Sequence, residues 1–462
     1  MQKKTHFFLF QIALISAMGG FLFGYDWVVI GGAKPFYEQF FQIADQPYMQ
    51  GWAMSSALIG CLIGALISGK LSDKYGRKIM LIFSAALFVC TSIGTGISPD
   101  FTLFNIFRLV GGLAIGMASS LSPMYIAEIA PAHLRGRFVA INQLTVVLGI
   151  LAAQLVNWHI AEPVPMGATG EMIRMSWNGQ MGWRWMFWVM TIPAGAFFML
   201  GFTLPESPRW LVTNGKTTAA LKIFTKIGGE EYAELELKSI GTAKTPDNQA
   251  GFKQLLNPKY RNVLVIGIVL AVFQQWCGIN VIFNYAQEIF TSAGFGISDV
   301  LMNIVITGVT NVIFTILAMF LVDRWGRKVL LKIGAFGLTL IYAIMGSAYY
   351  FHVSGIPLLI IVILAIACYA MTLAPVMWIV ISEIFPNKVR GIAMSIATFA
   401  LWSACFILTY TFPLLNKGLG AAGTFWLYGG ICLLGGIFVT LKVPETKGKS
   451  LEELEKELIK IK

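Results

Sequence analysis

A single carboxylate, Asp26, interrupts the apolar, glycine-rich stretch GGFLFGYDWVVIGGA at residues 19–33. An acid inside hydrocarbon is paired, protonated, or both by turns. Arg108, in NIFRLVGG, is the only basic residue placed to reach it from the same group of apolar segments. If that arginine approaches and withdraws, the acid can load and release a proton; if it stays, the two are a structural ion pair. A second constellation is QQWCGIN, where Gln274, Gln275 and Asn280 sit in an apolar run. On a helix of about 3.6 residues per turn, Gln274 and Asn280 fall within about 120° and a turn and a half of each other. Each amide offers two donors and a carbonyl acceptor, which suits hydroxyls that both donate and accept. Gln143 and Asn311 add two further amides within apolar runs. The competing role for all of them is to hold helices together.

Groups of this kind need a membrane around them, and the composition supplies one. The 462 residues are 56% hydrophobic and only 12% charged, with a mean hydropathy of +0.71, well outside the range of soluble globular proteins. Apolar runs of about 20 residues, long enough to cross about 30 Å of hydrocarbon, predict an all-α membrane protein of twelve spans. They lie near 7–33, 51–70, 79–98, 101–126, 138–160, 183–204, 261–290, 300–322, 329–351, 355–381, 391–416 and 422–443. The first run is too long for a cleaved signal peptide and has no small-residue cleavage site before Asp26.

With both termini placed in the cytoplasm, 29 of the 34 basic residues fall on the inner side, leaving Lys34, Arg108, Arg174, Arg184 and Lys417. The net charge of +11 is therefore a topology signal and an attraction to anionic lipid, not a nucleic-acid footprint. The cysteines Cys61, Cys90, Cys277, Cys368, Cys405 and Cys432 lie inside apolar runs without CxxC spacing, as small core residues do. The four histidines are scattered, so neither a metal nor a cofactor is implied. No nucleophile–base set points to an enzyme.

The chain also repeats itself. GKLSDKYGRK (69–78) is echoed by FLVDRWGRK (320–328), EIAPAHLRG (128–136) by EIFPNKVRG (383–391), and PESPRW (205–210) by PETKG (444–448). Three echoes in one order predict a duplicated six-span half: an N-terminal bundle over 1–204, cytoplasmic linker helices over 205–260, a C-terminal bundle over 261–443 and a cytoplasmic tail helix over 444–462. The echoes place Asp73, Arg77, Glu128 and Arg135 on turns of the first half, and Asp323, Arg327, Glu383 and Arg390 on those of the second. Beyond ordinary positive-inside charge, paired acids and bases at such turns predict salt bridges that hold in one conformation and break in another, a cytoplasmic gate.

The paired DKYGRK and DRWGRK, PESPRWL, PETKG, QQWCGIN and the duplicated E…RG turns resemble the sugar porter family of the major facilitator superfamily, over essentially the whole chain. Within it the chain is most similar to bacterial xylose-type proton/sugar symporters. The resemblance implies two six-helix bundles that rock about a central site. It matches Asp26 and Arg108 to the acid and arginine that proton-coupled members carry on their first and fourth helices. It also places Phe23, Gln143, Gln274, Gln275, Asn280, Asn311, Trp378 and Trp402 at positions that line the sugar site, the tryptophans stacking on the sugar's C–H face.

Two positions depart from the family pattern. Asn284-Tyr285 stands where Tyr-Tyr is common, and Leu401 where relatives carry Gln or Asn. The lost amide removes one hydroxyl partner, so the identity of the sugar stays open. Pro375, in MTLAPVMW, removes a backbone hydrogen bond and is a candidate gate hinge. The expected activity is import of a monosaccharide, pentose or hexose, with a proton by alternating access across the cell (inner) membrane. An uncoupled facilitator and a non-transporting sugar sensor are the alternatives; sensors carry long cytoplasmic tails, and about 14 residues follow PETKG. The expected partners are the sugar, the proton and the lipid bilayer, with no nucleic acid; the sequence leaves the oligomeric state open, a monomer included.

Overall fold

A computed structural model describes residues 3–131, 134–165, 167–242, 258–385 and 389–447. The tail helix expected at KSLEELEKELIKIK and the end of the linker, 243–257, lie outside the described residues, as do the side chains of Asp323 and Arg390.

Among the described residues every regular element is a helix. In order, the helices are α1 Lys3–Phe40, α2 Pro47–Tyr75, α3 Arg77–Ile97, α4 Phe101–Ile129, α5 Arg135–Ile160, α6 Gly170–Met175, α7 Trp183–Trp188, α8 Thr191–Gly201, α9 Pro208–Thr213, α10 Thr217–Gly228 and α11 Glu230–Thr242. They continue as α12 Pro258–Trp276, α13 Ile279–Asn284, α14 Ala286–Ser292, α15 Ile297–Trp325, α16 Arg327–Tyr350, α17 Ile356–Met371, α18 Leu373–Ile384 and α19 Arg390–Lys442.

Among the described residues ten stretches are long and apolar enough to cross a membrane. One of them, Ile392–Lys442, has 51 residues, more than twice what a crossing needs, and breaks at Gly420 where φ is 68°. It makes two crossings. The span expected at 183–204 is assembled from two pieces, α7 and α8. With these the crossings reach the twelve expected from hydropathy.

The repeats fold alike. α2 gives way to α3 at Gly76 (φ 95°, ψ 160°), and α15 to α16 at Gly326 (φ 91°, ψ 155°), so the glycine of each YGRK/WGRK motif takes a positive φ that side chains with a Cβ resist.

Contacts divide the chain into two compact units. The first comprises Met1–Trp27, Ile59–Ala153 and Arg184–Asn248. Within it α1 and α5 approach backbone to backbone: a Cβ on Gly24 would collide with the Val146 carbonyl, and one on Gly149 with that of Phe21. This is the close packing that small residues allow between membrane helices. α4 begins at Asp100, whose side chain accepts from the Leu103 N–H at 2.9 Å. Helices α9 to α11 enclose a small core of Leu211, Ala220, Phe224 and Ala233. The second unit comprises Val28–Leu58, Gln154–Trp183 and Gln249–Lys462. There Tyr285 donates to the Thr409 carbonyl at 2.7 Å and packs on Phe412, ring centroids 4.4 Å apart.

Candidate coupling and substrate site

In the first unit the structure joins Asp26 to Arg108. Asp26 lies on α1 two residues past the Gly24 contact, so the close approach of α1 to α5 fixes its height in the bundle. Arg108 stands two turns into α4. The guanidinium Nη1 of Arg108 donates to Oδ1 of Asp26, and the side chains are only 4% and 2% exposed. Behind the pair, the Arg108 guanidinium carbon lies 5.7 Å from the Phe187 ring centroid. Its Nε is buried with no hydrogen-bond partner among the described residues. A Cβ at Gly111 would touch Oδ2 of Asp26 and Oγ1 of Thr91, both at 3.4 Å, so the second carboxylate oxygen faces α3 and α4. Next to it, Tyr25 donates its hydroxyl to the Met186 carbonyl at 3.2 Å. Phe23, half-buried one turn before Asp26, meets Trp27 edge to face at 5.9 Å. Gln143, on α5 of the same unit, is exposed.

In the second unit the amides do not share one continuous helix. α12 ends at Trp276 and α13 begins at Ile279, with Gly278 left-handed at φ 84°. The regular-helix spacing between Gln274 and Asn280 is therefore broken, and it is Gln275 that Asn280 meets, its Nδ2 donating to Oε1. Gln274 and Gln275 are 4% and 8% exposed; the Gln274 side chain shares a hydrogen bond with Tyr369, while its Oε1 is buried without a partner among the described residues. An unpaired buried acceptor is costly unless something supplies a donor. Asn311 on α15 and Trp402 on α19 are buried, whereas Trp378 on α18 is 38% exposed. The break in the tenth span falls at Thr372 (φ −124°, ψ −77°), between α17 and α18. Pro375 sits in the first turn of α18, where its missing N–H costs least; the irregular residue is three positions before it.

The charged turns assemble in part. Arg77 forms a two-pronged bond to Glu128, Nε to Oε2 and Nη2 to Oε1, both at 3.1 Å, and its Nη1 reaches Asp73 at 2.9 Å. Nε of Arg135 is buried without a hydrogen-bond partner among the described residues. In the second unit Arg327 stands 3.6 Å from Glu383.

Two carboxylates of these turns escaped the selection of site residues. Oε1 of Glu206 accepts the N–H groups of Arg77 (2.9 Å) and Lys78 (3.2 Å), the first two residues of α3. Glu445 does the same for Arg327 (3.0 Å) and Lys328 (3.1 Å) at the start of α16. A carboxylate over a helix N-terminus meets both unsatisfied donors and the positive end of the dipole. The signal was present in the echo of PES by PET, which marked both positions.

Comparison with known proteins then decides the kinship. The profile of the Sugar (and other) transporter family matches residues 12–458. The chain belongs to this family. It is 40% identical to the arabinose-proton symporter of Bacillus subtilis, over 98% of this chain and 96% of that protein. It is 39% identical to the D-xylose-proton symporter of Escherichia coli, over 97% and 95% of the two chains. Among solved structures it resembles the inward-open conformation of the xylose transporter XylE from E. coli, with a TM-score of 0.85, 37% identity, and coverage of 97% and 99%. The chain is thus a multi-pass membrane sugar transporter of the major facilitator fold, not an enzyme.

Proposed function

We propose that this transporter imports a monosaccharide together with a proton by alternating access, with Asp26 as the proton carrier and Arg108 as its partner. The observation that carries the reading is the buried Asp26–Arg108 pair on α1 and α4. Arg108 is under-bonded, with Nε unpartnered among the described residues, so a modest shift of α4 against α1 changes what the carboxylate meets. While the guanidinium is bonded, the carboxylate stays ionised; when it withdraws, a buried acid takes up a proton to avoid a stranded charge. Relatives named as arabinose and xylose symporters of protons, at about 40% identity, support the coupling.

The sugar's hydroxyls are taken by Gln274, Gln275 and Asn280, with Gln143 and Asn311, and its C–H face by Phe23, Trp378 and Trp402. The unpaired Gln274 acceptor supports a ligand donor there. Asp73, Arg77, Glu128 and Arg135, with Asp323, Arg327, Glu383 and Arg390, form the cytoplasmic gate. Both termini lie in the cytoplasm, as the bias of basic residues favours. The test is uptake of labelled pentoses and hexoses into proteoliposomes with and without an imposed pH gradient. Accumulation above the outside concentration only with the gradient supports coupling; equilibration alone in both conditions refutes it.

A further inference from the structure

Lys34 is a buried cation that the coupling and sugar-binding residues do not use. It lies near the far end of α1 and is 1% exposed. Its Nζ is 3.1 Å from Oε1 of Glu38, one turn on along the same helix, and bonds directly to Oε1 of Glu288 on α14. The ammonium also stands 5.2 Å from the Tyr285 ring centroid. One turn earlier, a Cβ on Gly31 would press on the Asn284 and Phe283 carbonyls at 3.1 and 3.2 Å, so α1 lies hard against the end of α13. On another side of this stretch, Nδ2 of Asn157 donates to the Val29 carbonyl at 3.0 Å. All of these residues belong to the second unit.

A buried ion pair is a poor device for stability, because apolar residues of similar volume do as well or better. Its use lies in selecting between conformations. The arrangement of the two acids fits that use. Glu38 travels with Lys34 on α1, so separating Lys34 from Glu288 does not strand the ammonium in an apolar site. The Glu288 side chain is 23% exposed and can be taken up by water when released. The bond is therefore strong while closed and inexpensive to open. It is also mechanically connected to the sugar-binding amides, since Asn280, bonded to Gln275, is followed through α13 by Tyr285 and Glu288.

We propose that Lys34 is a positioning residue, a releasable latch that holds α14 and the end of α13 against α1 and sets Asn280 for the sugar. The inference rests on the transport reading for its purpose, not for its test. In a variant carrying Cys90→Ala and Ile30→Cys, position 30 lies one turn before Lys34 and is 1% exposed in the native protein. Its modification by a maleimide, read by peptide mass without sugar or gradient, reports the opening of this contact. Lys34→Met and Glu288→Gln should each speed labelling by at least about fivefold, the lower end of ordinary couplings. Lys34→Arg, which keeps the charge between Glu38 and Glu288, should restore the unmodified rate. Glu38→Gln should slow labelling, because release would then leave Lys34 uncompensated. A latch predicts these opposite signs, and simple packing does not. Unchanged labelling in both Lys34→Met and Glu288→Gln, or faster labelling in Glu38→Gln, overturns the proposal; should Lys34→Met fail to fold, Glu288→Gln alone decides. Labelling as expected in a protein that does not couple protons to sugar would overturn the transport reading and leave the latch standing.

Discussion

Asp26 on α1 and Arg108 on α4 form an ion pair in which both side chains are almost wholly buried. Removing one partner leaves a charge without compensation, so the two variants differ. Arg108→Gln is expected to retain sugar binding within a few-fold but to lose at least about tenfold in gradient-driven uptake, since nothing then forces the proton off Asp26. Driven uptake at the wild-type rate in Arg108→Gln would make the pair structural only.

The amides of the broken seventh span carry the next expectation. Gln275→Ala should weaken sugar binding by about tenfold, about 1.4 kcal/mol, because a buried hydroxyl loses its partner and Asn280 loses its neighbour. Calorimetry on monodisperse protein measures this. Unchanged affinity in both Gln274→Ala and Gln275→Ala would remove this span from the site.

The sequence made much of this legible, for identifiable reasons. Span number follows from hydropathy, because a membrane leaves backbone groups no option but the helix. Asp26 and Arg108 stood out because charges inside apolar runs are few. What local pattern could not supply was irregular backbone. Gln274 and Asn280 were spaced on a regular helix, but Gly278 takes φ 84° and ends that regularity. The break near Pro375 falls instead at Thr372, because proline fits the first turn of a new helix. Long-range partners were equally hidden. Lys34 was visible only as a basic residue away from the cytoplasmic side, and its bond to Glu288 joins positions 254 apart.

Glu445 gives a pH-dependent handle on the charged turns. Burial alone would raise its pKa, but backbone N–H groups of Lys447, Arg327, Lys328 and Thr446 together outweigh burial and hold it below the ordinary glutamate value. A carboxyl with a lowered folded-state pKa contributes stability that is fully present above the unfolded value and lost as pH falls through the folded one. The wild type should therefore melt higher than Glu445→Gln at pH 7, and the gap should close as the medium is acidified below the usual glutamate range. A gap independent of pH would show that the carboxylate's charge contributes nothing.

Arg77 and Glu128 bond within the first unit, with Glu206 beneath them on the start of α3. Neutralising Arg77 and Arg327 together, each to Gln, should leave sugar affinity within about threefold while moving the conformational balance toward cytoplasmic opening. Sided cysteine labelling reads that balance. No displacement would reduce these arginines to determinants of topology.

The most direct measurement concerns Asp26 itself. A membrane potential of about 100 mV contributes about 2.3 kcal/mol per charge moved, so one proton per sugar supports accumulation of about fiftyfold before any pH gradient is added. Asp26→Asn mimics the permanently protonated side chain. In proteoliposomes it should bind sugar and exchange it across the membrane, because both conformations remain accessible to a neutral residue, while gradient-driven accumulation disappears. Accumulation of sugar by Asp26→Asn at the wild-type level under a pH gradient would contradict the assignment of Asp26 as the proton carrier.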